Sequence, residues 1–133
     1  EYILIEEMTQ DEAFKEYLKA DIIVDQIIIG TYGVFAIEAM GMGKPVITYI
    51  TEKMRKTFPD ELPIVSASPL TIESEIEKLI LDGQRRHDLG VKGRKYIETY
   101  HDCKKNAKVI AKIYEGTANK TKGKDAFEEV KEL

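Results

Sequence analysis

The stretch from Ala20 to Ile47 constrains the fold more than any other part of the chain. It opens with Ile22-Ile-Val24, a β-branched apolar run without polar alternation, which reads as a strand buried on both faces. Polar Asp25-Gln26 end the run, and Gly30-Thr-Tyr-Gly33 makes a turn. Val34 to Met40 then follows a helical pattern that continues to Gly41 and is stopped by Gly43 and Pro45. Pro45-Val-Ile-Thr-Tyr-Ile50 is the next strand, with proline at its first position, where a missing N–H does least harm. Alternating β and α elements with two-sided apolar strands argue for a parallel sheet sandwiched by helices.

The flanking sequence extends this α/β pattern. Tyr2-Ile-Leu-Ile5 reads as a buried strand, and Leu62-Pro-Ile-Val65 as a short one, so the sheet should hold about four strands. Thr9 to Lys19 places Ala13, Phe14, Tyr17 and Leu18 at helical spacing, with Thr9 as N-cap and Glu12 completing a capping box. After Ser68-Pro69 the chain turns helical. Ile72, Ile76, Leu79 and Ile80 form one stripe. A second helix over Gln84–Tyr100 turns Leu89, Tyr96, Ile97 and Tyr100 inward, and a third over Cys103–Tyr114 buries Ala107, Ile110, Ala111 and Tyr114. Residues 1–115 are expected to form the domain, and 116–133 a mobile tail or a short helix around Phe127 and Val130.

Composition narrows the setting. The chain has 133 residues, 43% hydrophobic and 33% charged, within the range of one ordinary globular domain. No apolar run is long enough to span a membrane and no secretory signal is visible, so a cytoplasmic setting is the default. Cys103 stands alone, and with His87 and His101 it makes too few soft donors for structural zinc. Charge is segregated: residues 1–83 carry 7 basic and 16 acidic groups, whereas 84–124 carry 12 basic and 4 acidic. That basic stretch either meets a phosphate-rich surface or is a solvated helical face.

In parallel sheets, ligands bind beyond the carboxyl ends of the strands, here the loops Asp25–Gly33, Thr51–Phe58 and Ser66–Thr71. Backbone N–H groups near Gly33, Val34 and Phe35, at a helix start, form a natural anion site. Gly33 either lets a ligand approach closely or simply permits a tight turn. Glu38 lies about one turn into that helix among apolar neighbours, where the paired hydroxyls of a ribose would be suitable donors; the plainer alternative is a solvated acid. Lys53 and Arg55 could approach a diphosphate, although solvated loop charges are the simpler reading. Gly41-Met-Gly-Lys44 lacks the spacing of a phosphate loop and precedes a strand, so it reads as a structural turn. His101 beside Cys103 reads as a helix-junction feature.

The same segment resembles the donor-binding core of GT-B retaining glycosyltransferases of the "group one" family. That family's pattern runs Ala-Asp at a strand, a polar loop, Glu-Gly-Phe-Gly-Leu, three residues, then Glu-Ala-Met, a small residue and Gly-Lys-Pro-Val. Here Gly30-Thr-Tyr-Gly-Val34 stands where Glu-Gly-Phe-Gly-Leu is usual, and Glu38-Ala-Met40 with Gly43-Lys-Pro-Val46 matches closely. Leu89-Gly90, Gly93-Arg94 and Ile113-Tyr114 look like the family's helical C-terminal portion.

The resemblance implies a Rossmann-like donor domain that binds a nucleotide sugar, UDP- or GDP-linked, and works without a metal. It assigns the ribose to Glu38; the further donor contacts are expected from the adjoining loop and helix start, Asp25, Gln26, Gly30, Thr31, Tyr32, Gly33 and Val34. It also implies an N-terminal acceptor domain, peripheral contact with the inner face of a membrane, and no role for nucleic acid. The family's first glutamate, which touches the transferred sugar, is Gly30 here, so no side chain makes that contact; Asp25, Gln26 or Tyr32 are the candidates to replace it. A non-catalytic nucleotide-binding or assembly module is the competing reading, and a phospho-accepting receiver domain a weaker third. By this resemblance the donor domain's first two strands would lie upstream of Glu1, so residues 1–133 alone are expected to show no transferase activity. Sugar transfer by the isolated chain would contradict that expectation.

Overall fold

A computed structural model describes residues 1–118 of the chain; the expected final helix at Phe127 and Val130 lies outside them. The elements in order are α1 (Gln10–Lys19), β1 (Ile23–Val24), α2 (Val34–Gly41), β2 (Val46–Thr48), α3 (Glu52–Arg55), β3 (Val65–Ser66), α4 (Ile72–Leu81), α5 (Gly83–Tyr100) and α6 (Cys103–Ala118). The chain divides into two compact units, Glu1–Thr99 and Tyr100 onward.

The first unit is mixed α/β. Its sheet has three parallel strands in the order β1-β2-β3, with Ile23 opposite Val46 and Ile47 opposite Val65. Central β2 is wholly buried, and its neighbouring residues feed opposite faces. Val46 joins a core with Ala13 and Tyr17 of α1, Ala36, Ala39 and Met40 of α2, and Tyr96 of α5. Ile47 joins a second core with Val65, Ala67 and Leu79 of α4, against which Leu89 of α5 packs. The period-2 geometry of a strand thus places helices on both faces.

Helix ends are closed by local chemistry. The hydroxyl of Thr9 accepts from the Glu12 N–H, and the Glu12 carboxylate accepts from the Thr9 N–H at 2.9 Å, completing the expected capping box. At the end of α2, the Gly43 N–H donates to Met40 O and the Lys44 N–H to Ala39 O, with Gly43 at φ +73°. That is a Schellman closure, so Gly41–Lys44 is the structural turn its sequence suggested. The Lys44 ammonium donates to Leu18 O at 2.7 Å, near the last turn of α1. Helix α5 meets this turn through glycines: a Cβ on Gly90 would stand 2.1 Å from Gly43 O, and one on Gly93 3.3 Å from Met40 Cβ. Arg94 then donates to Gly41 O at 2.6 Å.

Several expectations need correction. Tyr2–Ile5 is not a strand; Tyr2, Ile3 and Leu4 are exposed, and only Ile5 packs against the core. A β-rich run becomes a strand only when a ladder satisfies its backbone, and this run pairs with neither edge of the sheet. Ile80 and Tyr100 point outward because the covered stripes of α4 and α5 are narrower than expected. The stripe of α6 is rotated: Val109 and Ile113 are half-buried, while Ala107, Ile110, Ala111 and Tyr114 are exposed. Helix α3 was not foreseen, since four residues carry no measurable period; its Thr51 N-cap accepts from the Met54 N–H at 3.2 Å.

The glycine contact yields a stability test. Gly90→Ala should destabilise the fold by on the order of 2 kcal/mol or more in urea unfolding, because backbone on both sides must separate. Gly83→Ala, whose added carbon meets only the Arg86 side chain at 3.5 Å, should be close to neutral.

Candidate functional site

The loops leaving the three strands are tied to one another by hydrogen bonds. After β1, Gln26 O accepts from the buried Thr48 hydroxyl at 2.6 Å and from the Tyr49 N–H at 3.2 Å. Gly30 O accepts from the Thr51 N–H at 3.0 Å. The Ser66 hydroxyl, at the end of β3, accepts from the Ile50 N–H and donates to Ile50 O. Residues 25–33, 49–51 and 66 therefore form one connected surface at the carboxyl ends of the strands, where α/β sheets bind ligands.

Asp25 and Gln26 stand together at the start of α2. The Asp25 carboxylate accepts from the Gly33 N–H at 3.4 Å, and a Cβ on Gly33 would come within 2.9 Å of the Gln26 side-chain amide. Glycine at 33 thus lets the Gln26 amide lie against the backbone. Gly33 caps α2 without any side-chain hydrogen bond, and no acidic residue lies in the first turn. The N–H groups of Val34 and Phe35 are accordingly at the positive end of an uncapped helix. Val34 is exposed and Thr31 half-buried.

Two of the expected contacts have different surroundings. Tyr32 belongs to the packing: its ring lies 4.8 Å from that of Phe58, and its hydroxyl pairs with that of Tyr96 at 3.3 Å. Gly30 is buried at φ +91°, and a Cβ there would meet the Thr51 methyl at 2.7 Å. Both the conformation and the space exclude a larger residue without rearrangement.

Glu38 is half-buried on α2, five residues beyond the Gly33 cap. Its carboxylate accepts from the Gln10 side-chain amide at 3.3 Å, from the first turn of α1. Burial, and secondarily the Glu38 charge, holds the Tyr17 phenol above its ordinary pKa. Among the described residues, no hydrogen bond joins Glu38 to residues 25–33, so the expected site residues fall into a loop group and a carboxylate facing α1. Gln10 and Tyr17 were missed by sequence reasoning; nothing local marks them, since only the packing of α1 on α2 brings them to Glu38.

The basic loop residues divide. Arg55 donates to Pro59 O and Asp60 O, both at 2.9 Å, and so fastens its own loop; Lys53 is exposed. A shallow cleft of about 450 Å³ lies away from these loops, lined by Gly43, His87, Gly90, Val91, Arg94, Lys95 and Glu98. It flanks the α5 contact and carries none of the expected residues, so the chemistry of the loops is the better guide to a site. Among the described residues, no group of three or more His, Cys, Asp or Glu could hold a metal ion. No protein-family model, curated protein or solved structure matches the chain.

Two measurements test this geometry. Gly30→Ala should cost about 1–2 kcal/mol from its backbone conformation alone, and more from the Thr51 methyl; in a Thr51→Ser background the cost should fall, and strict additivity in the double-mutant cycle would contradict the contact. Glu38→Gln should lower the Tyr17 pKa toward its ordinary value, read by NMR of ring-labelled tyrosine.

Proposed function

We propose that the chain is the donor-binding portion of a glycosyltransferase, with a Rossmann-like sheet of the GT-B kind, that binds a nucleoside diphosphate sugar. The reading is carried by α2: it begins uncapped beyond the carboxyl end of β1, and one turn later bears a half-buried carboxylate. A diphosphate would meet the N–H groups of Gly33, Val34 and Phe35, and the ribose hydroxyls would donate to Glu38. Among the described residues, Gln10 supplies the one hydrogen bond that Glu38 accepts, and it is long, which leaves lone pairs for such donors. The Gly33 N–H already leans on Asp25, so a diphosphate would displace or share that contact.

In this reading sugar transfer needs no metal: the departing diphosphate is stabilised by helix N-termini and basic groups. An acceptor-binding domain completes the enzyme, and the setting is cytoplasmic, at the inner face of a membrane. The specificity is for UDP or GDP.

One observation favours the second reading, a nucleotide-binding or assembly module without transferase activity. Where the resembled family has the glutamate that touches the sugar, Gly30 is buried at positive φ against Thr51. Restoring a glutamate there would strain the loop, so the loss is built into its conformation and is more than a missing side chain.

Calorimetric titration with UDP, GDP and their hexose conjugates tests both readings. Glu38→Ala should weaken nucleotide binding by roughly tenfold to a hundredfold, as for losing hydrogen bonds to a charged acceptor. Binding unchanged by that substitution would refute the donor-site reading. Equal affinities for nucleotide and sugar nucleotide would favour the second reading, because the sugar then finds no partner.

A further inference from the structure

Gln10 is the first residue of α1, yet its side chain serves α2. Its amide nitrogen donates to Glu38 Oε1 at 3.3 Å. A carboxylate only accepts, so the nitrogen has to be the end of the amide that faces it, and the amide oxygen is left as a second acceptor beside the first. Neither that oxygen nor Glu38 Oε2 accepts a hydrogen bond among the described residues. The pairing is held in place by the packing of the two helices. The Thr9–Glu12 capping box sets the turn that carries Gln10, and the Tyr17 ring lies 4.8 Å from that of Phe35 on α2. Ala13 and Tyr17 share a core with Ala36 and Ala39, and Lys44 holds Leu18 O at the far end of α1. Helix α1 cannot slide along α2 without breaking these contacts. Glu12, two residues on, does not compete for the Gln10 amide, because its carboxylate already accepts from the Thr9 N–H and hydroxyl at 2.9 and 2.7 Å.

Building on the nucleotide reading, we propose that Gln10 completes the ribose site. Glu38 accepts from one ribose hydroxyl and the Gln10 amide oxygen from its neighbour, so the chain selects ribonucleotides over deoxyribonucleotides. Hydroxyls on adjacent ring carbons are two donors side by side, and two adjacent acceptors, one from each helix, are their complement. A phosphate fits this pair poorly: it brings acceptors where acceptors already stand, and its charge repels that of Glu38. Gln10 also fixes the carboxylate, since its bond to Oε1 leaves Oε2 as the oxygen that meets the ligand. Selectivity follows from desolvation as well as contact, because a ligand lacking one hydroxyl leaves an acceptor without a partner.

Calorimetric titration of the full chain with UDP and GDP, and with the 2′-deoxy and 3′-deoxy forms of each, tests it. The unaltered chain should lose roughly threefold to tenfold in affinity for either missing hydroxyl. In Gln10→Ala one of the two penalties should vanish and the other remain, a pattern that a merely structural role for Gln10 would not produce. Gln10→Glu keeps the length of the side chain but sets a second carboxylate beside Glu38, so it should weaken ribonucleotide binding at least as much as Gln10→Ala. Gln10 is exposed, and both variants should keep the urea midpoint of the unaltered chain. If Gln10→Ala retains both penalties, or weakens every ligand equally, Gln10 is no part of the ribose site, while the nucleotide reading stands. If the unaltered chain binds no nucleotide, that reading fails and the role of Gln10 fails with it.

Discussion

The first unit depends on one short strand. Val46, Ile47 and Thr48 are almost completely shielded from water, and each does a different job. Val46 and Ile47 anchor the cores on opposite faces, while the Thr48 hydroxyl reaches across to Gln26 O and fixes the start of the loop after β1. A fully buried strand must satisfy its backbone groups by pairing, which is why β2 is flanked on both sides, by β1 and β3, each parallel to it. The candidate site inherits its position from that pairing, because all three of its loops leave the carboxyl ends of parallel neighbouring strands.

A second constraint is close backbone approach. Gly90 and Gly93 let α5 settle against the turn and helix that precede β2, and Gly43 reverses the chain there through a Schellman closure. The sequence Gly43-Lys44-Pro45-Val46 therefore has a structural explanation that needs no ligand. Gly43 supplies the positive φ, Lys44 binds Leu18 O, Pro45 accepts from Ile23 N–H, and Val46 enters the core. The functional reading rests on what lies outside that explanation: an uncapped helix start and a half-buried Glu38.

Gly30 ties architecture to chemistry in a less obvious way. Its carbonyl accepts from Thr51, the N-cap of α3, and a Cβ added to it would collide with the same residue's methyl. The loop after β1 is thus moulded on the loop after β2. A change at position 30 toward a side chain that could touch a sugar would have to be accompanied by a change at 51.

The sequence by itself determined the alternation of strands and helices, the capping box at Thr9, the extent of α2 and its closing turn. Each is a local matter of periodicity, capping or glycine conformation, written within a few adjacent residues. It also singled out Asp25, Gln26, Gly33 and Glu38 as a polar group around a helix start. Tertiary structure decided the rest, because burial and pairing depend on partners far away in the chain. Tyr2–Ile5 has the composition of a strand but no paired edge, and of the apolar positions on α6 only Val109 and Ile113 are half-buried. The structure turned Tyr32 into packing and closed Gly30 against Thr51. It also set Glu38 facing Gln10 and Tyr17, a neighbourhood that exists only because α1 packs beside α2.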